Sequence, residues 1–364
     1  MSTSPESLNS VLVTGGGGFL GSHIIRLLVK EPGCNIYSAS RDPKSHPDQE
    51  PTVMYEAVDI ANETQVEALF TRTQPQVVIH TTSPDPLAPQ AMQERVNVQG
   101  TKILLKHAAA CASTRAFIFT GSDSGMFPQQ DPITEDQARL YTAAADHTTP
   151  YGVTKGIADA MVLAANGPEL RTVSLRVPGM YGTHDYKGML PQLLDAVRKG
   201  QHKVQIGENK RVFEVVEVRK AAEAHILAAK VLLRREENSP TKGLPKVDGE
   251  AFFISDGHPV PYWDFFRKCF AAAGAPVKPG EIQVLPLGAM KMVASIVEWF
   301  FAIFTLGYKT PEMRRQNMDH FERGCNWSLA KAKERLGYVP LTEAEQDEAI
   351  KRMMEWGLAE LKKP

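Results

Sequence analysis

Tyr151 and Lys155 are the residues of this sequence best placed to move a proton. They are four positions apart and follow Pro150, a residue typical of the first turn of a helix, so both lie on one helical face. A phenol with a pKa of about 10 is a poor base near neutral pH, but a neighbouring ammonium favours the phenolate. The pair is therefore predicted to exchange a proton with an alcohol or a carbonyl group, with Lys155 lowering the pKa of Tyr151.

Ser122 is a candidate partner of this pair. It ends the segment RAFIFTGS, which is predicted to be a strand. Where the end of that strand and the start of the helix meet at one edge of a sheet, the Ser122 hydroxyl can hydrogen-bond a substrate oxygen while Tyr151 carries the proton. The alternative is a capped surface helix with an unrelated tyrosine and lysine.

A glycine-rich segment near the amino terminus indicates a nucleotide. Residues 11–21, VLVTGGGGFLG, lead from a short apolar run into the amphipathic segment SHIIRLLVK, which predicts a strand, a turn and a helix. Glycines spaced three apart let backbone N–H groups approach a pyrophosphate, and the helix N-terminus adds a partial positive charge. We predict a dinucleotide site rather than an ordinary glycine-rich loop. Its predicted contacts here are Gly15, Gly18, Phe19, Leu20 and Gly21.

The end of the second predicted strand favours NADP(H) as the dinucleotide. An acidic residue there would hydrogen-bond a ribose 2′-hydroxyl and repel a 2′-phosphate, whereas the segment NIYSAS ends in Ser40 and is followed by Arg41. NAD(H) remains the alternative, with Arg41 as a solvated turn residue. At the end of the third predicted strand, MYEAVDI, Asp59 and Ile60 are predicted to contact the adenine end, although Asp59 could instead begin the next turn. The nicotinamide would carry the hydride that accompanies the proton of Tyr151.

Strands and helices alternate regularly around these motifs. The segments QVVIH, RAFIFTGS and RTVSLRV predict further buried strands followed by helices, which gives at least six β/α steps. The remaining predicted cofactor contacts are Thr81 after the fourth strand, Asn97 on the next helix, Tyr151, Lys155 and Pro178 after RTVSLRV. Lys155 could hold the ribose hydroxyls. The predicted fold class is α/β, a Rossmann doubly wound parallel sheet with a smaller C-terminal substrate-binding lobe.

The later part of the chain is less regular, and proline and glycine interrupt it. We therefore assign the dinucleotide-binding domain to residues 8–186 and 211–257. The substrate-binding lobe is assigned to residues 187–210 and 258–360.

The composition describes a globular protein and gives no reason to expect nucleic acid. The 364 residues carry a net charge of −1, 43% of them are hydrophobic, and the length is sufficient for two lobes. The four cysteines lack metal-binding spacing and the ten histidines form no HExxH or Cys/His cluster, so no metal is predicted. The first residues lack the basic and apolar regions of a signal peptide, which indicates a cytoplasmic location.

The most apolar segment, residues 285–306, contains VASIVEWFFAIFTL. Lys291 and Glu298 interrupt it, and it falls short of the ~20 uninterrupted apolar residues of a membrane span. We predict a buried helix or a wall of the substrate pocket. Contact with a membrane surface and a membrane span are the alternatives.

Together these motifs resemble the extended short-chain dehydrogenase/reductase superfamily, through TGGGGFLG, VIHTTSP, VNVQGTKILL, TGS, YGVTK and RVPGMYG. The segments KGMLPQLLDAVRKGQHKVQIGENKRVFE, AEAHILAA and GEAFFISDGHPVPYWDFF resemble its 3β-hydroxysteroid dehydrogenase branch, especially fungal sterol-4α-carboxylate 3-dehydrogenases. The resemblance covers nearly the whole chain. It implies Ser122, Tyr151 and Lys155 as the catalytic set, and Asn97 as a support of Lys155 through water.

The resemblance also implies the reaction and the partners. A 3β-hydroxyl on a small apolar sterol or terpenoid would be oxidised with NAD(P)+, and in the carboxysterol enzymes the resulting β-keto acid loses carbon dioxide. No nucleic acid is expected. A peripheral membrane contact, a place at the surface of the endoplasmic reticulum and a homodimer are compatible with such a protein.

The sequence departs from the family pattern at three places. Gly121 stands where relatives often have serine, and Ser124 is a weaker candidate for the substrate hydrogen bond. Ser40 and Arg41 replace the acidic residue typical of NAD enzymes. The segment EVVEVRKAAEAH differs from the usual WTYVxNVADAH, which suggests a changed task, such as action on a terpenoid or meroterpenoid in secondary metabolism.

Two other functions fit part of the pattern. A nucleotide-sugar epimerase or dehydratase belongs to the same superfamily, but a dehydratase is expected to carry Thr-Asp-Glu where this chain has Ser122, Asp123 and Ser124. We interpret Asp123 as a solvated loop or cap residue rather than an added acid. A regulator that senses a dinucleotide without turnover would have little need for Ser122 or for the pair Tyr151 and Lys155.

Overall fold

The computed structural model describes residues 7–43, 47–128, 130–142, 149–234, 245–305, 311, 314–318, 321 and 323–362. In chain order the strands are β1 (Ser10–Thr14), β2 (Asn35–Ser40), β3 (Met54–Ala57), β4 (Val77–His80), β5 (Ala116–Ser122), β6 (Arg171–Val177), β7 (Gly179–Tyr181), β8 (Val204–Ile206), β9 (Val212–Phe213), β10 (Val215–Glu217), β11 (Glu250–Phe253), β12 (Val260–Pro261) and β13 (Gln283–Leu285). The helices are α1 (Phe19–Leu28), α2 (Glu63–Thr73), α3 (Gln90–Gln93), α4 (Thr101–Ala110), α5 (Pro150–Ala164), α6 (Met189–Arg198), α7 (Val218–Arg234), α8 (Tyr262–Ala272), α9 (Leu287–Phe304), α10 (Arg315–Met318), α11 (Ala330–Leu336) and α12 (Glu343–Glu360). A π-helix, Glu94–Gly100, joins α3 to α4, and a short 3-10 turn, Asp123–Gly125, follows β5.

Seven parallel strands form the central sheet, in the order β11-β6-β5-β4-β1-β2-β3. Strand β1 pairs with β2 on one side and with β4 on the other, so the direction in which strands are added reverses between β1 and β4. Strand β5 is buried along its whole length, because helices cover both faces of the sheet. In such sheets, ligands bind at the carboxyl ends of the strands beside the reversal. The predicted Rossmann architecture is confirmed.

Successive side chains of each strand point into two hydrophobic cores on opposite faces of the sheet. On β1, Val11 and Val13 belong to the core that includes α1 and α7, whereas Leu12 belongs to the core of α2, α4 and α5. The first turn of α1 lies at the carboxyl edge of the sheet because α1 follows the glycine turn after β1. Helix α5 lies at the same edge because it packs against the 3-10 turn that follows β5. This edge therefore receives the glycine turn and the catalytic candidates together.

A third core joins the C-terminal helices to the strand pair β7 and β10. Helices α6, α8 and α12 pack there through side chains that include Leu190, Phe265 and Met353. Most of these elements fall in the predicted substrate-binding lobe. The residue boundaries assigned to the two domains stay a prediction.

The prediction of a buried helix in the most apolar segment is wrong. Helix α9 forms, but Ala294 is its single buried residue, and the side chains of Trp299 and Phe304 are 66% and 68% exposed. By length and composition alone α9 could cross a membrane, which for a single helix is weak evidence. The sequence could not distinguish a buried helix from an exposed one, because an apolar segment has the same composition whether it packs in a core or lies on the protein surface.

Candidate dinucleotide and catalytic site

The glycine turn between β1 and α1 has no room for side chains. Gly15 has a φ of +74°, and a Cβ there would lie 2.9 Å from Thr81 Oγ1. A Cβ on Gly21 would lie 2.2 Å from the carbonyl oxygen of Gly15, so α1 starts directly against the turn. Gly18 is the N-cap residue of α1 and no side chain caps this end. The turn and the helix N-terminus therefore fit the pyrophosphate of a dinucleotide.

The residues next to this turn support its shape. Leu20 is buried in the core of α1, and the half-buried ring of Phe19 contacts His23 edge to face at 5.9 Å between ring centroids. Thr81 follows β4, and its hydroxyl donates a 2.8 Å hydrogen bond to the carbonyl oxygen of Thr14 at the end of β1. The loop after β4 is thereby held against the glycine turn.

Ser40, Arg41 and Asp59 lie beyond the ends of β2 and β3, where the adenosine part of a dinucleotide is expected. The Ser40 hydroxyl is buried without a hydrogen-bond partner in the described part of the chain, and Arg41 is exposed. The Asp59 carboxylate forms an ion pair with Arg95 and accepts the N–H of Ala61. Burial acts to raise the pKa of Asp59, but Arg95, Ala61 and the charge of Arg41 lower it overall. Two cations, Arg41 and Arg95, therefore flank this end, and sequence reasoning missed Arg95.

Two further predicted cofactor residues, Ile60 and Pro178, are both buried. Ile60 packs against Gly100 of the π-helix, where a Cβ would lie 2.8 Å from its Cδ1 atom. Pro178 stands between β6 and β7. Both shape the carboxyl edge of the sheet, and their contact with a cofactor stays a prediction.

Asn97 links the loop after β4 to the catalytic helix. Its Nδ2 atom donates to Gln93 Oε1 at 2.9 Å and lies 3.0 Å from Thr154 Oγ1, while its Oδ1 accepts from Ser83 Oγ at 3.0 Å. It lies in the π-helix, a geometry that often occurs at functional sites. Asn97 thus contacts the residue before Lys155, and its predicted action on Lys155 through water stays a prediction.

Ser122 and Tyr151 come together at the carboxyl end of β5. The Thr149 hydroxyl caps α5 by accepting the Gly152 N–H at 3.0 Å, which places Tyr151 in the first turn. Burial raises the pKa of Tyr151, a hydrogen bond with Ser122 lowers it, the charge of Asp123 raises it, and the overall shift is upward. The net direction is opposite to the predicted one, because burial outweighs the favourable contacts. Tyr151 is thus a phenol that needs further positive charge nearby to act as a base.

Lys155 points from α5 to the backbone of β5. Its ammonium donates a 2.6 Å hydrogen bond to the carbonyl oxygen of Thr120 and lies 4.4 Å from the ring centroid of Phe119. Burial lowers its pKa to about 8, against the opposing charge of Asp159. Thr120 is its one hydrogen-bond acceptor within the ranges that the structure describes. Two N–H groups of the ammonium are therefore suited to ribose hydroxyls.

A buried histidine supports the strand that carries this acceptor. The Nδ1 atom of His225, on α7, lies 2.7 Å from the carbonyl oxygen of Ala221. A carbonyl oxygen can only accept, so Nδ1 carries the proton and donates it. In the neutral ring Nε2 is then an acceptor, and it accepts the hydroxyl of Thr120 at 2.8 Å. Burial lowers the pKa of His225 to about 4, which keeps the ring neutral. The segment that departs from the family pattern thus ends in a residue that contacts the strand beneath Lys155.

The departure at Gly121 also has a structural reason. A Cβ at this position would lie 2.7 Å from Ser174 Oγ and 3.0 Å from Asp159 Oδ2. Gly121 therefore faces a buried polar cluster, in which Asp159 pairs with Arg176 at 2.8 Å. Ser124 lies two residues after Ser122 and donates its N–H to the Ser122 hydroxyl at 3.2 Å. It is a positioning contact for Ser122 in this arrangement.

Arg323 reaches the site from the distant C-terminal part of the chain. Its Nη2 atom donates to the carbonyl oxygens of Asp123 and Met126, each at 2.7 Å. Asp123 is only 8% exposed, so its interpretation as a solvated loop residue is wrong. The hydrogen bonds of Arg323 to Asp123 and Met126 could not be predicted from sequence spacing, because the partners are about 200 residues apart.

Comparison with known proteins agrees with this geometry. The family model of the 3-beta hydroxysteroid dehydrogenase/isomerase family matches residues 12–287. The chain belongs to this family. The predicted branch is confirmed, and so is the predicted enzyme class, an NAD(P)-dependent oxidoreductase that acts on a CH–OH group.

Two relatives show which members of the 3-beta hydroxysteroid dehydrogenase/isomerase family this chain is similar to. A sterol-4-alpha-carboxylate 3-dehydrogenase, decarboxylating, of Gibberella zeae is 44% identical over 299 residues, which cover 82% of this chain and 96% of the relative. The enzyme of the same name from Schizosaccharomyces pombe is 31% identical over 352 residues, 96% of this chain and 97% of the relative. These matches do not favour the nucleotide-sugar alternative.

A solved structure of another enzyme has the same fold as this chain. A UDP-glucuronic acid 4-epimerase from Bacillus cereus, solved in complex with NAD, superposes with a TM-score of 0.69 at 15% identity, covering 97% of this chain and 100% of the epimerase. At this identity the likeness shows the shared Rossmann architecture alone.

Proposed function

We propose that this protein oxidises the 3-hydroxyl of a sterol that carries a 4α-carboxylate, and that the ketone formed then loses carbon dioxide. The observation that carries the proposal is the meeting of Ser122, Tyr151 and Lys155 at the end of β5, in a chain 44% identical to an enzyme named for that reaction. The match covers 96% of that relative, which supports a shared overall activity.

The residues at the sheet edge fit a nicotinamide dinucleotide. The glycine turn excludes side chains at Gly15 and Gly21, as a pyrophosphate site requires, and the Lys155 ammonium has N–H groups for ribose hydroxyls. A nicotinamide held there would supply the acceptor for the hydride of the alcohol carbon, and the positive charge of its ring would favour the Tyr151 phenolate.

Two side chains of the protein then act on the hydroxyl group of the substrate. Ser122 hydrogen-bonds the substrate oxygen, and the Tyr151 phenolate takes the hydroxyl proton as the carbonyl forms. Loss of carbon dioxide breaks the bond between the ring carbon and the carboxylate, and that electron pair forms the enolate of the new ketone. Tyr151 then returns its proton to the enolate oxygen, which restores the phenolate without a second base. The enol becomes the ketone when that proton moves to the ring carbon that lost its carboxylate.

NADP(H) is the proposed cofactor, with NAD(H) as the alternative. Ser40 does not carry the negative charge that would repel a 2′-phosphate, and the exposed guanidinium of Arg41 follows it directly. Arg95 adds a second cation at the same end, although Asp59 already pairs with it. The balance of charge at the end of β2 is therefore positive.

We also propose that α9 rests on a membrane surface, with the surface of the endoplasmic reticulum as the place. Its exposed side chains include Trp299, Phe300 and Phe304, the aromatic and apolar types that enter the headgroup boundary of a bilayer. A sterol dissolves in the same phase, so a peripheral enzyme would meet its substrate there. A homodimer that covers α9 is the competing arrangement.

The decisive experiment is a substrate panel with the purified protein. Sterols with a 3-hydroxyl, with and without a 4α-carboxylate, are incubated with NAD+ or NADP+, and nicotinamide absorbance is followed together with product mass. From the carboxylated sterol we expect reduced nicotinamide and a 3-ketone that is lighter than the substrate by carbon dioxide and two hydrogen atoms. Turnover of terpenoid alcohols or UDP-sugars, with no reaction of any sterol, would contradict the proposal.

A further inference from the structure

Arg323 places a positive charge beside the catalytic hydroxyls. The two carbonyl oxygens that its Nη2 atom contacts belong to the short turn that begins immediately after Ser122. Its charge also acts on Tyr151, since it lowers the pKa that burial raises. A guanidinium fixed at this point lies next to the place where the reacting oxygen of a substrate would sit.

The segment behind Arg323 is firmly attached to the sheet domain. Cys325 donates its N–H to the carbonyl oxygen of Val212 at 3.1 Å, and the N–H of Trp327 donates to Glu214 Oε1 at 2.9 Å. The Trp327 ring also stacks on Phe253, with 4.5 Å between centroids. The position of Arg323 is therefore set by several contacts within four residues of it.

The guanidinium has donors left for a ligand. Only Nη2 has partners among the described residues, and both are neutral carbonyl oxygens. Two acids lie in the neighbourhood, Asp123 and Glu214, but neither forms an ion pair with Arg323 across the described ranges. A half-buried guanidinium with no acidic partner there can accept a carboxylate from a substrate.

We propose that Arg323 binds the 4α-carboxylate of the substrate and so selects carboxylated sterols over neutral ones. This inference rests on the proposed function. The carboxylate is bonded to the ring carbon next to the carbon that bears the reacting oxygen, so a sterol whose 3-oxygen contacts Ser122 and Tyr151 brings its carboxylate towards this guanidinium. Planar, two-pronged hydrogen bonding makes arginine the side chain best suited to such a group.

The same cation favours the second half of the reaction. When carbon dioxide leaves, the negative charge of the carboxylate passes into the enolate, and it comes to rest on the 3-oxygen between Ser122 and Tyr151. Because Arg323 is anchored beside both positions, its field stabilises the charge before and after the bond breaks. Arg323 is thus both a specificity residue and an electrostatic support of the enolate.

The test compares Arg323→Gln with the wild type on two substrates that differ only in the 4α-carboxylate. We expect kcat/KM for the carboxylated sterol to fall by about 10- to 100-fold, the range for a lost charged hydrogen bond, and kcat/KM for the neutral sterol to stay within about twofold. Arg323→Lys should restore part of the loss, because it keeps the charge without the planar fork. Arg115→Gln, at a partly exposed position immediately before β5, is the matched control and should change neither value.

Equal losses on both substrates would overturn the proposal, because they would mean that Arg323 only braces the turn after Ser122. An unchanged preference for the carboxylated sterol would overturn it as well. If the variants do not fold, the wild type is tested with a non-reacting steroid 4α-carboxylate and its carboxamide as competitive inhibitors, and we expect the carboxylate to bind about tenfold more tightly. Equal binding of the pair contradicts the inference.

The two proposals fail in different ways. A wild type that turns over no sterol contradicts the proposed function. A wild type that turns over both sterols, with no dependence on Arg323, leaves that function standing and removes this inference alone.

Discussion

The ammonium of Lys155 lies 2.6 Å from the carbonyl oxygen of Thr120, two residues before Ser122 on β5. This bond fixes the catalytic helix to the strand that presents the serine, so one contact sets the spacing of the three catalytic candidates. The acceptor strand is itself held by His225 through the Thr120 hydroxyl. The arrangement gives a lysine four residues after the tyrosine a structural use, while the upward shift of the tyrosine pKa follows from burial.

Tyr151→Phe should abolish turnover while the dinucleotide still binds. The phenol is the proton carrier, and removing such a group costs about 10²- to 10⁴-fold in rate, whereas the glycine turn is untouched. Measurement of kcat for the carboxylated sterol and titration of the reduced dinucleotide check the two parts separately. Tyr186→Phe, which alters an exposed tyrosine, should keep full activity. Near-native turnover of Tyr151→Phe would show that another group carries the proton.

Gly21→Ala should damage both stability and cofactor binding. The new Cβ would lie 2.2 Å from the carbonyl oxygen of Gly15, so α1 must move away from the turn, at a cost of about 1–3 kcal/mol in the free energy of unfolding. Thermal unfolding and dinucleotide titration measure the two effects. Gly167→Ala is the matched control, because nothing lies within 4 Å of a Cβ there. An unchanged dinucleotide affinity in Gly21→Ala would show that the glycine turn is not part of the cofactor site.

The parts of the fold that local patterns determine could be read from the sequence. The predicted strands NIYSAS and RTVSLRV are observed with the same bounds, as β2 and β6, because both are short segments between clear proline and glycine turn signals. The predicted third strand, by contrast, ends at Ala57 instead of continuing to Ile60. The meeting of Ser122 with Tyr151 was also predictable, since it follows from the topology of a parallel sheet.

Contacts between distant segments could not be predicted in this way. Arg95 and Arg323 reach the site from a π-helix and from the C-terminal segment, and no spacing in the sequence relates them to Asp59 or Asp123. The direction of the Tyr151 pKa shift was missed for a related reason. The contribution of burial depends on everything packed around the phenol, whereas a helical spacing indicates one neighbour alone.

Arg41→Gln should shift the cofactor preference towards NAD+. Loss of the guanidinium removes the charged partner of a 2′-phosphate, so KM for NADP+ should rise by about tenfold while KM for NAD+ changes little. Initial rates at saturating sterol, measured over a range of NAD+ and NADP+ concentrations, give the ratio of the two KM values. Arg198→Gln, an exposed arginine on α6, should leave the ratio unchanged. A wild type that already prefers NAD+, with no response to Arg41→Gln, would contradict the proposed NADP(H) preference.

Glu214→Gln should alter how stability depends on pH. Burial raises the pKa of Glu214 from an ordinary 4.5 to about 7, against hydrogen bonds from Ser255 and Trp327 that lower it. Between these two values the folded protein binds the proton more tightly than the unfolded chain, so the stabilisation is complete below 4.5 and is lost as pH rises through about 7.

The wild type should therefore lose about 1–3 kcal/mol of unfolding free energy relative to Glu214→Gln between pH 5 and 8. Denaturant unfolding at a series of pH values measures the difference, and the titrations common to both proteins cancel. Glu334→Gln, at an exposed position on α11, should follow the wild type. Parallel curves for the wild type and Glu214→Gln would show that this carboxyl does not titrate in that window.

Replacing Trp299, Phe300 and Phe304 of α9 with serine should release the protein from membranes. All three side chains are more than half exposed, and burying such apolar area in the headgroup boundary is the main source of peripheral binding. Co-sedimentation with phosphatidylcholine vesicles should fall to background in the triple variant, while activity on a detergent-dispersed sterol remains. Val339→Ser with Leu361→Ser, which alters two other exposed apolar residues, should keep vesicle binding. If instead the wild type ignores vesicles and sediments as a dimer that the triple variant converts to a monomer, a second copy of the chain covers α9 and the membrane proposal is wrong.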